Sequence, residues 1–469
     1  MRGRLWLTLG VSFGACFLVG CGHSAPPQVP LGTSTVSLTI HDTPPAGVAV
    51  LSFQVTVTGA TLDPGAQGIG ASNAASVPAL STPVSVELTQ LVTDRAFLSV
   101  ANVPEGTYQT VTLTFANPRM TIQNISGSAI GSCANGAICE LTPTLNPASA
   151  VVPVSQGLTP VTLGLSAGSS VGLDIDFNLA QSIQADLSIV PTLTVSQLPK
   201  SVGPQGQQFF AEVDNLEGAV AIVNANTFVL YLNNRQQLTV SVNDNTTGYG
   251  FGSAPLLNGQ TVRMNARVRL DGTLEAKELF LLQTPDEANQ RAEIVGTITS
   301  VDSPTQFHMV MHDAFPPVTG IQVGNLVSVT IPGPATFDIA SDGLTLPSGL
   351  SFASSSDFVI GQEVQVSIAS SPAPTDVTTD QITLRMSQVP GSVGATASTS
   401  DFTLSNLPSL FTNSGITAMQ AAVVPGTTLE NLTSITAFQT VGVRGLLFNT
   451  SATPTLVAGK VSQLPAGSM

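Results

Sequence analysis

The chain has 469 residues, of which 42% are hydrophobic and only 9% are charged. Its formal net charge is −15, and 14 lysines and arginines stand against 29 acidic residues. No basic cluster is present, so the charge pattern argues against nucleic acid as a partner. Abundant Ser, Thr, Val, Gly and Pro predict an all-β protein of short strands joined by turns. The length predicts two to four domains.

The N-terminus has the pattern of a secretion signal. Arg2 and Arg4 supply positive charge, and the stretch that follows, "LWLTLGVSFGACFLVG", carries no charge. This stretch is shorter than the roughly 20 apolar residues that a membrane-spanning helix needs. We therefore predict a signal peptide over residues 1–20 and a Pro-rich tether over residues 21–35.

The signal segment ends in Leu18-Val19-Gly20-Cys21, which resembles the lipobox of bacterial lipoproteins at every position. The resemblance implies that Cys21 receives a diacylglycerol group and becomes the first residue of the mature chain. It also implies a stable membrane anchor, which takes more than one acyl chain. In such lipoproteins the next residue influences sorting, and Gly22 implies the outer membrane where the envelope has one. The alternative is an ordinary signal peptide whose cysteine is incidental.

The chain has four cysteines, and the N-terminal interpretation accounts for two of them. Cys16 would leave with the signal peptide, and Cys21 would be acylated. The remaining pair, Cys133 and Cys139 in "CANGAIC", is predicted to form a disulfide, as an even remainder does in an exported protein. Asn135-Gly136 between them is a turn signal. The alternative is a metal site, for which two thiols without a nearby histidine are too few ligands.

Residues 36–199 are predicted to form a β-sandwich. Apolar residues alternate with Ser, Thr and Gln in "TVSLTI" and "SFQVTVTG", as in strands with one buried face. The segments "VSLTIHDTPP", "VELTQL", "LSVANVPEGTYQTVTLTF" and "GLDIDFNLAQSI" occur in the order seen in a family of bacterial lipoprotein domains catalogued as domain of unknown function 4382. The resemblance covers residues 34–198. It implies a sandwich of the transthyretin or carboxypeptidase-regulatory kind, and it brings no catalytic residues.

The remainder of the chain is predicted to form three repeated units, at residues 205–287, 290–388 and 389–469. Each begins with a Gly-containing strand and has a later strand marked by a Gly-Gln-x-Val or a Val-Gly-Val pattern. The best match pairs "GQTV" at 259–262 with "GQEV" at 361–364, and the third copy is degenerate. These segments resemble a second bacterial module, domain of unknown function 5666, which implies a small β-barrel for each unit.

Asp174, Asp176 and Asn178 are spaced two apart, like the first ligands of a calcium loop. An EF-hand loop also needs Gly at its sixth position and Glu at its twelfth, where this chain has Leu179 and Ala185. Calcium at a strand edge is one reading of the pattern. The other is a row of solvated side chains on the outer face of a strand.

Two further patterns suggest chemistry. Ser166 lies in "GLSAG", which matches the nucleophile elbow of hydrolases, but its surroundings predict strand, turn and strand instead of strand and helix. His308 and His312 would share a metal only on a helix; on a strand they stand about 13 Å apart. The repeat plan predicts a strand here, with both histidines on one face and Met309 and Met311 on the other.

A glycan site usually needs an exposed aromatic ring with a polar edge. The one tryptophan, Trp6, lies in the predicted signal peptide. Tyr249 and Phe251, in the Gly-rich segment "TTGYGFGS", are therefore the best candidates for ligand contact.

The sequence thus predicts a lipid-anchored cell-envelope protein with a non-catalytic binding or display role and no cofactor. Its contacts would be a membrane through the lipid and an envelope protein or polysaccharide as partner. The alternatives are a glycan-binding accessory lipoprotein and, less favoured, a secreted hydrolase.

Overall fold

The computed structural model describes residues 32–43, 49–64, 75–157, 159–203, 206–234, 236–252, 254–285, 291–398, 400–450 and 453–464. The predicted signal peptide, Cys21 and most of the predicted tether lie outside the described residues. The regular secondary structure of the described part is almost entirely β-strand, so the all-β prediction is confirmed. None of its helices is long and apolar enough to cross a membrane.

The first unit, called the sandwich here, holds strands β1 to β13 and the short helix α1. The strands are Thr33–Thr43, Ala49–Asp63, Val77–Leu80, Val84–Glu87, Ala96–Pro104, Gly106–Tyr108, Thr110–Gln123, Ile138–Leu141, Ser149–Gln156, Thr159–Pro160, Leu163–Leu165, Ser170–Asn178 and Leu193–Leu198, and α1 is Leu179–Ser182. The main sheet path runs β3-β2-β7-β9-β13-β12-β1-β5. Alternation on β1 places Val36, Leu38 and Ile40 in the core, each with no exposed surface.

The predicted disulfide is confirmed. Cys133 and Cys139 are bonded, with their Cα atoms 5.8 Å apart. The chain reverses between them through Gly136, whose φ of +81° is left-handed, and Cys139 lies on β8 beside β7. The bridge therefore closes a local loop on the edge of the sandwich.

The rest of the chain holds strands β14 to β30 and helix α2. Strands β14 to β20 are Ser201–Val202, Gln208–Asn224, Thr227–Leu232, Gln237–Ser241, Thr247–Tyr249, Thr261–Arg269 and Leu274–Gln283. Strands β21 to β30 are Glu293–Ser303, Gln306–Phe315, Leu326–Thr330, Thr336–Ile339, Glu363–Ala373, Asp376–Ala397, Asp401–Ser405, Met419–Glu430, Thr440–Phe448 and Thr455–Gln463, and α2 is Ser409–Asn413.

These strands form three barrels with one strand order. In barrel 1, β15 pairs antiparallel with β16 and β19, β16 pairs with β17, and β19 pairs with β20. A parallel pairing of β17 with β20 closes the ring. Barrel 2 repeats this order with β21, β22, β23, β25 and β26, and barrel 3 repeats it with β26 to β30. A five-stranded barrel in this order has the topology of the OB fold.

A glycine-glutamine pair performs the same task in barrels 1 and 2. Gly259-Gln260 exchanges two backbone hydrogen bonds with Val220, and Gly361-Gln362 exchanges the same two with Ile298, all at 2.8–2.9 Å. In both pairs the glutamine Oε1 accepts the backbone N–H three residues earlier, at 2.8 Å. Both glycines have a left-handed φ, +79° and +91°, which costs glycine nothing. The pair therefore ties the fourth strand of each barrel to its first.

Barrel 3 has the same device with a different residue in the glycine position. Phe438-Gln439 exchanges the two backbone bonds with Val393 at 2.9 Å, and Gln439 Oε1 accepts the N–H of Thr436 at 2.7 Å. Phe438 has a φ of +65° and is 78% exposed. The third copy of the motif is thus "FQTV" at 438–441. The Val-Gly-Val pattern at 441–443 lies in the strand that follows the turn.

Barrels 2 and 3 share a strand. Up to Arg385, β26 pairs with β25 of barrel 2; from Met386 onward it pairs with β29 of barrel 3. The predicted boundary at 388/389 therefore falls inside a continuous strand. Phe448 on β29 also packs in the core of barrel 2, so the two barrels are joined through both backbone and core.

We expect Phe438→Gly to raise the free energy of unfolding by about 0.5–1 kcal/mol. The left-handed conformation penalises a residue with a Cβ by about 1–2 kcal/mol, and part of that gain is offset by the flexibility of glycine in the unfolded chain. Urea unfolding of the purified protein measures the change. Phe438→Ala, which keeps a Cβ, should leave stability nearly unchanged, whereas Gly259→Ala should lower it. A destabilised Phe438→Gly variant would contradict the assignment.

Candidate functional site at the junction of the four units

Charged side chains are scarce in this chain, yet several are buried where the sandwich and the three barrels meet. They are Asp94, Asp174, Asp214, Glu217, Arg263, Arg385, Arg444 and Lys460. Burying an ion is costly unless an opposite charge and hydrogen bonds compensate it. The compensating partners lie mostly on a different unit, so the charges define how the units dock.

Lys460, on β30 of barrel 3, is the centre of this network. Its Nζ lies 2.9 Å from Asp214 of barrel 1, 3.5 Å from Asp94 of the sandwich and 3.1 Å from Glu430 of its own barrel. Arg444 adds a second cation, with its Nε 3.5 Å from Asp94. Burial alone would raise the pKa of Asp214, but Lys460 and Arg444 together outweigh burial and lower that pKa to about 2.

Asp174 belongs to the same network, and its predicted place in a solvated row is wrong. Its side chain is 4% exposed and lies 2.9 Å from Arg95 Nε and 3.2 Å from His41 Nδ1. Arg95 also bridges to Glu430 of barrel 3 at 2.6 Å. Burial would raise the pKa of Asp174, but His41 and Arg95 outweigh it and hold the pKa well below its usual range.

The other two members of the predicted calcium row also have partners in the protein. Asp176 accepts the hydroxyl of Thr43 at 3.0 Å. Asn178 caps helix α1 by accepting the N–H of Gln181 at 3.0 Å. In the part of the chain that the structure describes, no group of three or more His, Cys, Asp or Glu side chains could hold a metal ion.

Barrels 1 and 2 are joined by two arginines. Arg385 on β26 lies 3.4 Å from Glu217 on β15, and Arg263 on β19 pairs with Asp342 of barrel 2. The Arg263 guanidinium also stands over the ring of Phe280, 4.7 Å from its centroid.

The predicted aromatic pair lies beside this contact. Tyr249 stacks on Phe280 with a centroid distance of 4.7 Å. The Tyr249 hydroxyl also lies against Gly343 of barrel 2, so closely that a Cβ added to this glycine would be 2.7 Å from the hydroxyl oxygen. Phe251 is half-buried and packs against the core of barrel 1. Neither ring stands free of the body, so the structure gives no exposed aromatic platform at this segment.

His312 joins barrel 2 to the sandwich. Phe307, Met309 and Met311 of β22 face the barrel core, while His312 faces outward and is buried by its neighbours. Its Nδ1 lies 3.0 Å from Glu363, and its Nε2 lies 2.9 Å from the backbone oxygen of Leu51 in the sandwich. Burial would lower the pKa of His312, but Glu363, Glu87 and the backbone oxygen of Leu51 together outweigh burial and raise it to about 9.

A cavity of about 110 Å³ adjoins His312, between the sandwich, barrel 2 and barrel 3. Asp42, Gln90 and His312 contribute to its polar lining, and Leu410 and Phe411 contribute to its apolar lining. Cavities between domains are common positions for small-molecule sites.

The remaining sequence candidates are separated from this region. Ser166 follows β11 in a turn that leads into β12, and its N–H donates to the hydroxyl of Ser169 at 3.2 Å. This is not the strand-to-helix turn of a nucleophile elbow. His308 contacts Asp302 and Ser300, at 2.9 and 3.2 Å, through Nδ1 alone. In a catalytic triad the acid and the serine contact opposite nitrogens of the imidazole.

These features define an all-β protein made of a sandwich and three barrels. Residues 33–190 match a family model described as "Domain of unknown function (DUF4382)", so the sandwich resembles that domain as the sequence predicts. A solved structure titled "drosophila Unr CSD456" is 12% identical, with 54% of this chain and 98% of that chain covered and a TM-score of 0.13. That score supports no structural or functional conclusion. A comparison with curated proteins gave no match.

We expect Lys460→Met to lower the free energy of unfolding by about 3–5 kcal/mol, because it leaves Asp94 and Asp214 buried without their shared cation. Guanidinium unfolding measures the loss. The matched control is Lys200→Met, at an exposed position, with an expected change within about 0.5 kcal/mol. Adding Asp214→Asn to the Lys460 variant should recover part of the loss. Equal effects of the two lysine variants would refute the role of Lys460.

We also expect a pH dependence from His312. Its pKa is about 9 in the folded protein and about 6.5 in an unfolded chain, so the folded state binds the proton more tightly. The resulting stabilisation is complete below about pH 6.5, declines between pH 6.5 and 9, and is lost above that range, in total about 2–4 kcal/mol. The His312→Gln protein should be less stable than the wild type at pH 6.5. Its free energy of unfolding should lack the decline between pH 6.5 and 9. The free energies of unfolding of the wild type and of His312→Gln, measured from pH 6.5 to 9, test this pH dependence. Parallel curves for the two proteins would contradict it.

Proposed function

We propose that this is a lipid-anchored cell-envelope protein whose folded part has a non-catalytic binding or display role. The observation that carries the proposal is the buried ion-pair network around Lys460, which contacts carboxylates of the sandwich, barrel 1 and barrel 3. Units of one chain usually move relative to one another when their interface is small and polar. Here separation would expose buried ions without their partners, so the units are held in one arrangement.

A rigid body of this kind suits display. The three barrels are closed by strand pairing, which removes the edges on which unwanted strand addition occurs. Loops and outer barrel faces are then the surfaces available to a partner. The half-buried Tyr249 gives no support to the glycan-binding alternative, and the turn around Ser166 gives none to the hydrolase alternative.

Anchoring is supported by the pattern Leu18-Val19-Gly20-Cys21. We expect Cys21→Ala to abolish incorporation of a labelled fatty acid and to move the protein from the membrane fraction to the soluble fraction. Cys16→Ala is the matched control, because Cys16 lies within the predicted signal peptide, and it should be labelled normally. Membrane association of the Cys21 variant equal to that of the wild type would refute the anchor.

The binding role is tested separately, by crosslinking in intact cells followed by purification of the full chain. We expect one envelope component to be recovered with the wild type and lost when Lys460→Met loosens the junction. Protease accessibility of the same cells shows which side of the membrane the body faces. Recovery of no specific component, with the anchor intact, would contradict the binding role and leave the anchor standing.

A further inference from the structure

The cavity beside His312 contains a carboxylate without a full set of partners. Asp42 lies at the end of β1 and is 2% exposed. Its Oδ1 accepts the N–H of Leu179 at 3.3 Å, whereas its buried Oδ2 has no hydrogen-bond partner among the described residues. Buried polar atoms in native proteins nearly always have a partner, so an open one at a cavity is available to bind a ligand.

The charges around Asp42 favour a cation as that ligand. Burial, Asp176 and Glu87 all raise the pKa of Asp42. From barrel 2, His312 faces the cavity, but its charge is paired with Glu363. Among the described residues, no cationic side chain forms an ion pair with Asp42. Ionisation of Asp42 therefore has no cation of the described residues to offset it, and a positive ligand would supply one.

The polar wall of the cavity offers hydrogen-bond acceptors more than donors. The hydroxyl of Thr89 donates to Glu87, and that of Thr297 donates to Glu363, both at 2.6 Å. Each hydroxyl oxygen keeps its lone pairs to accept a bond. The side-chain amide of Gln388 uses its N–H groups on the backbone oxygen of Gln90 and on Asp94, and its oxygen accepts the hydroxyl of Thr93 while keeping a second lone pair. A ligand rich in donors fits this wall better than one rich in acceptors.

The other wall is apolar and formed in part by Leu51, Val92, Leu410 and Phe411. The volume of about 110 Å³ approaches the ~150 Å³ of a cavity that can hold a benzene-sized molecule. We propose that this cavity binds a small organic ammonium ion, with its N–H groups on Asp42 and the threonine hydroxyls and its alkyl part against Leu410 and Phe411. This inference goes beyond the display role and does not depend on the lipid anchor.

Calorimetric titration of the full-length protein with butylammonium tests the proposal, with butyramide and butyrate as neutral and anionic probes of similar shape. We expect one butylammonium per chain and no measurable binding of the other two. Asp42→Asn, which keeps the size of the side chain, should weaken butylammonium binding by about tenfold or more, the loss of a charge-assisted hydrogen bond. Asp186→Asn, at a fully exposed carboxyl, should leave it unchanged.

A second readout keeps the test independent of the variant. Because a proton and an ammonium ion compete for Asp42, butylammonium should bind more tightly as the pH rises through the titration of Asp42, with release of up to one proton. Equal binding of butyramide, unchanged binding by Asp42→Asn, or a flat pH dependence would overturn the proposal. Absence of binding by all three probes would overturn it as well.

Discussion

The relative placement of the sandwich, barrel 1 and barrel 3 depends on the burial of one ammonium group. Lys460 is 8% exposed and is compensated by Asp94, Asp214 and Glu430, which come from the sandwich, barrel 1 and barrel 3. Hydrophobic contact is non-directional and tolerates sliding. A buried ammonium does not, because a shift of a few ångströms leaves it without partners in a medium of low dielectric constant. The network therefore restricts how these units can dock.

The barrels can dock in this way because both faces of some strands are buried. On β22, Met309 and Met311 pack inside barrel 2, while Val310 packs against Leu51 of the sandwich. His312, two residues further along the outer face, then makes the polar part of the same contact. Closure of each barrel pairs its edge strands with each other, so the barrels dock through side chains on their outer faces. The contacts between units accordingly include specific ion pairs, such as Lys460 with Asp214 and Arg385 with Glu217.

Local patterns in the sequence predict the strands, the inward face of β1 and the disulfide, since each depends on residues close together in the chain. The partners at the junction could not be predicted in this way. Asp174 lies two residues from Asp176 on one strand face, but Arg95, 79 residues before Asp174 in the chain, pairs only with Asp174. The repeat in barrel 3 was obscured for a different reason. Phe438 occupies a position where the backbone requires a left-handed conformation, so a pattern that requires glycine there does not match this copy, although the hydrogen bonds are retained.

Two kinds of buried carboxylate are thus present at the junction. Asp94 and Asp214 face Lys460 of barrel 3 once the units dock, and Asp174 faces Arg95 of its own unit. Asp42 has one backbone N–H on Oδ1 and, within the described residues, nothing on Oδ2. When the units dock, Asp42 is enclosed, but no cationic side chain of the described residues pairs with it. The cavity therefore arises from the same docking that pairs Asp94 and Asp214 with Lys460. A cationic ligand would give Asp42 the ion-pair partner that Lys460 gives Asp214. Its binding would stabilise the docked arrangement by mass action.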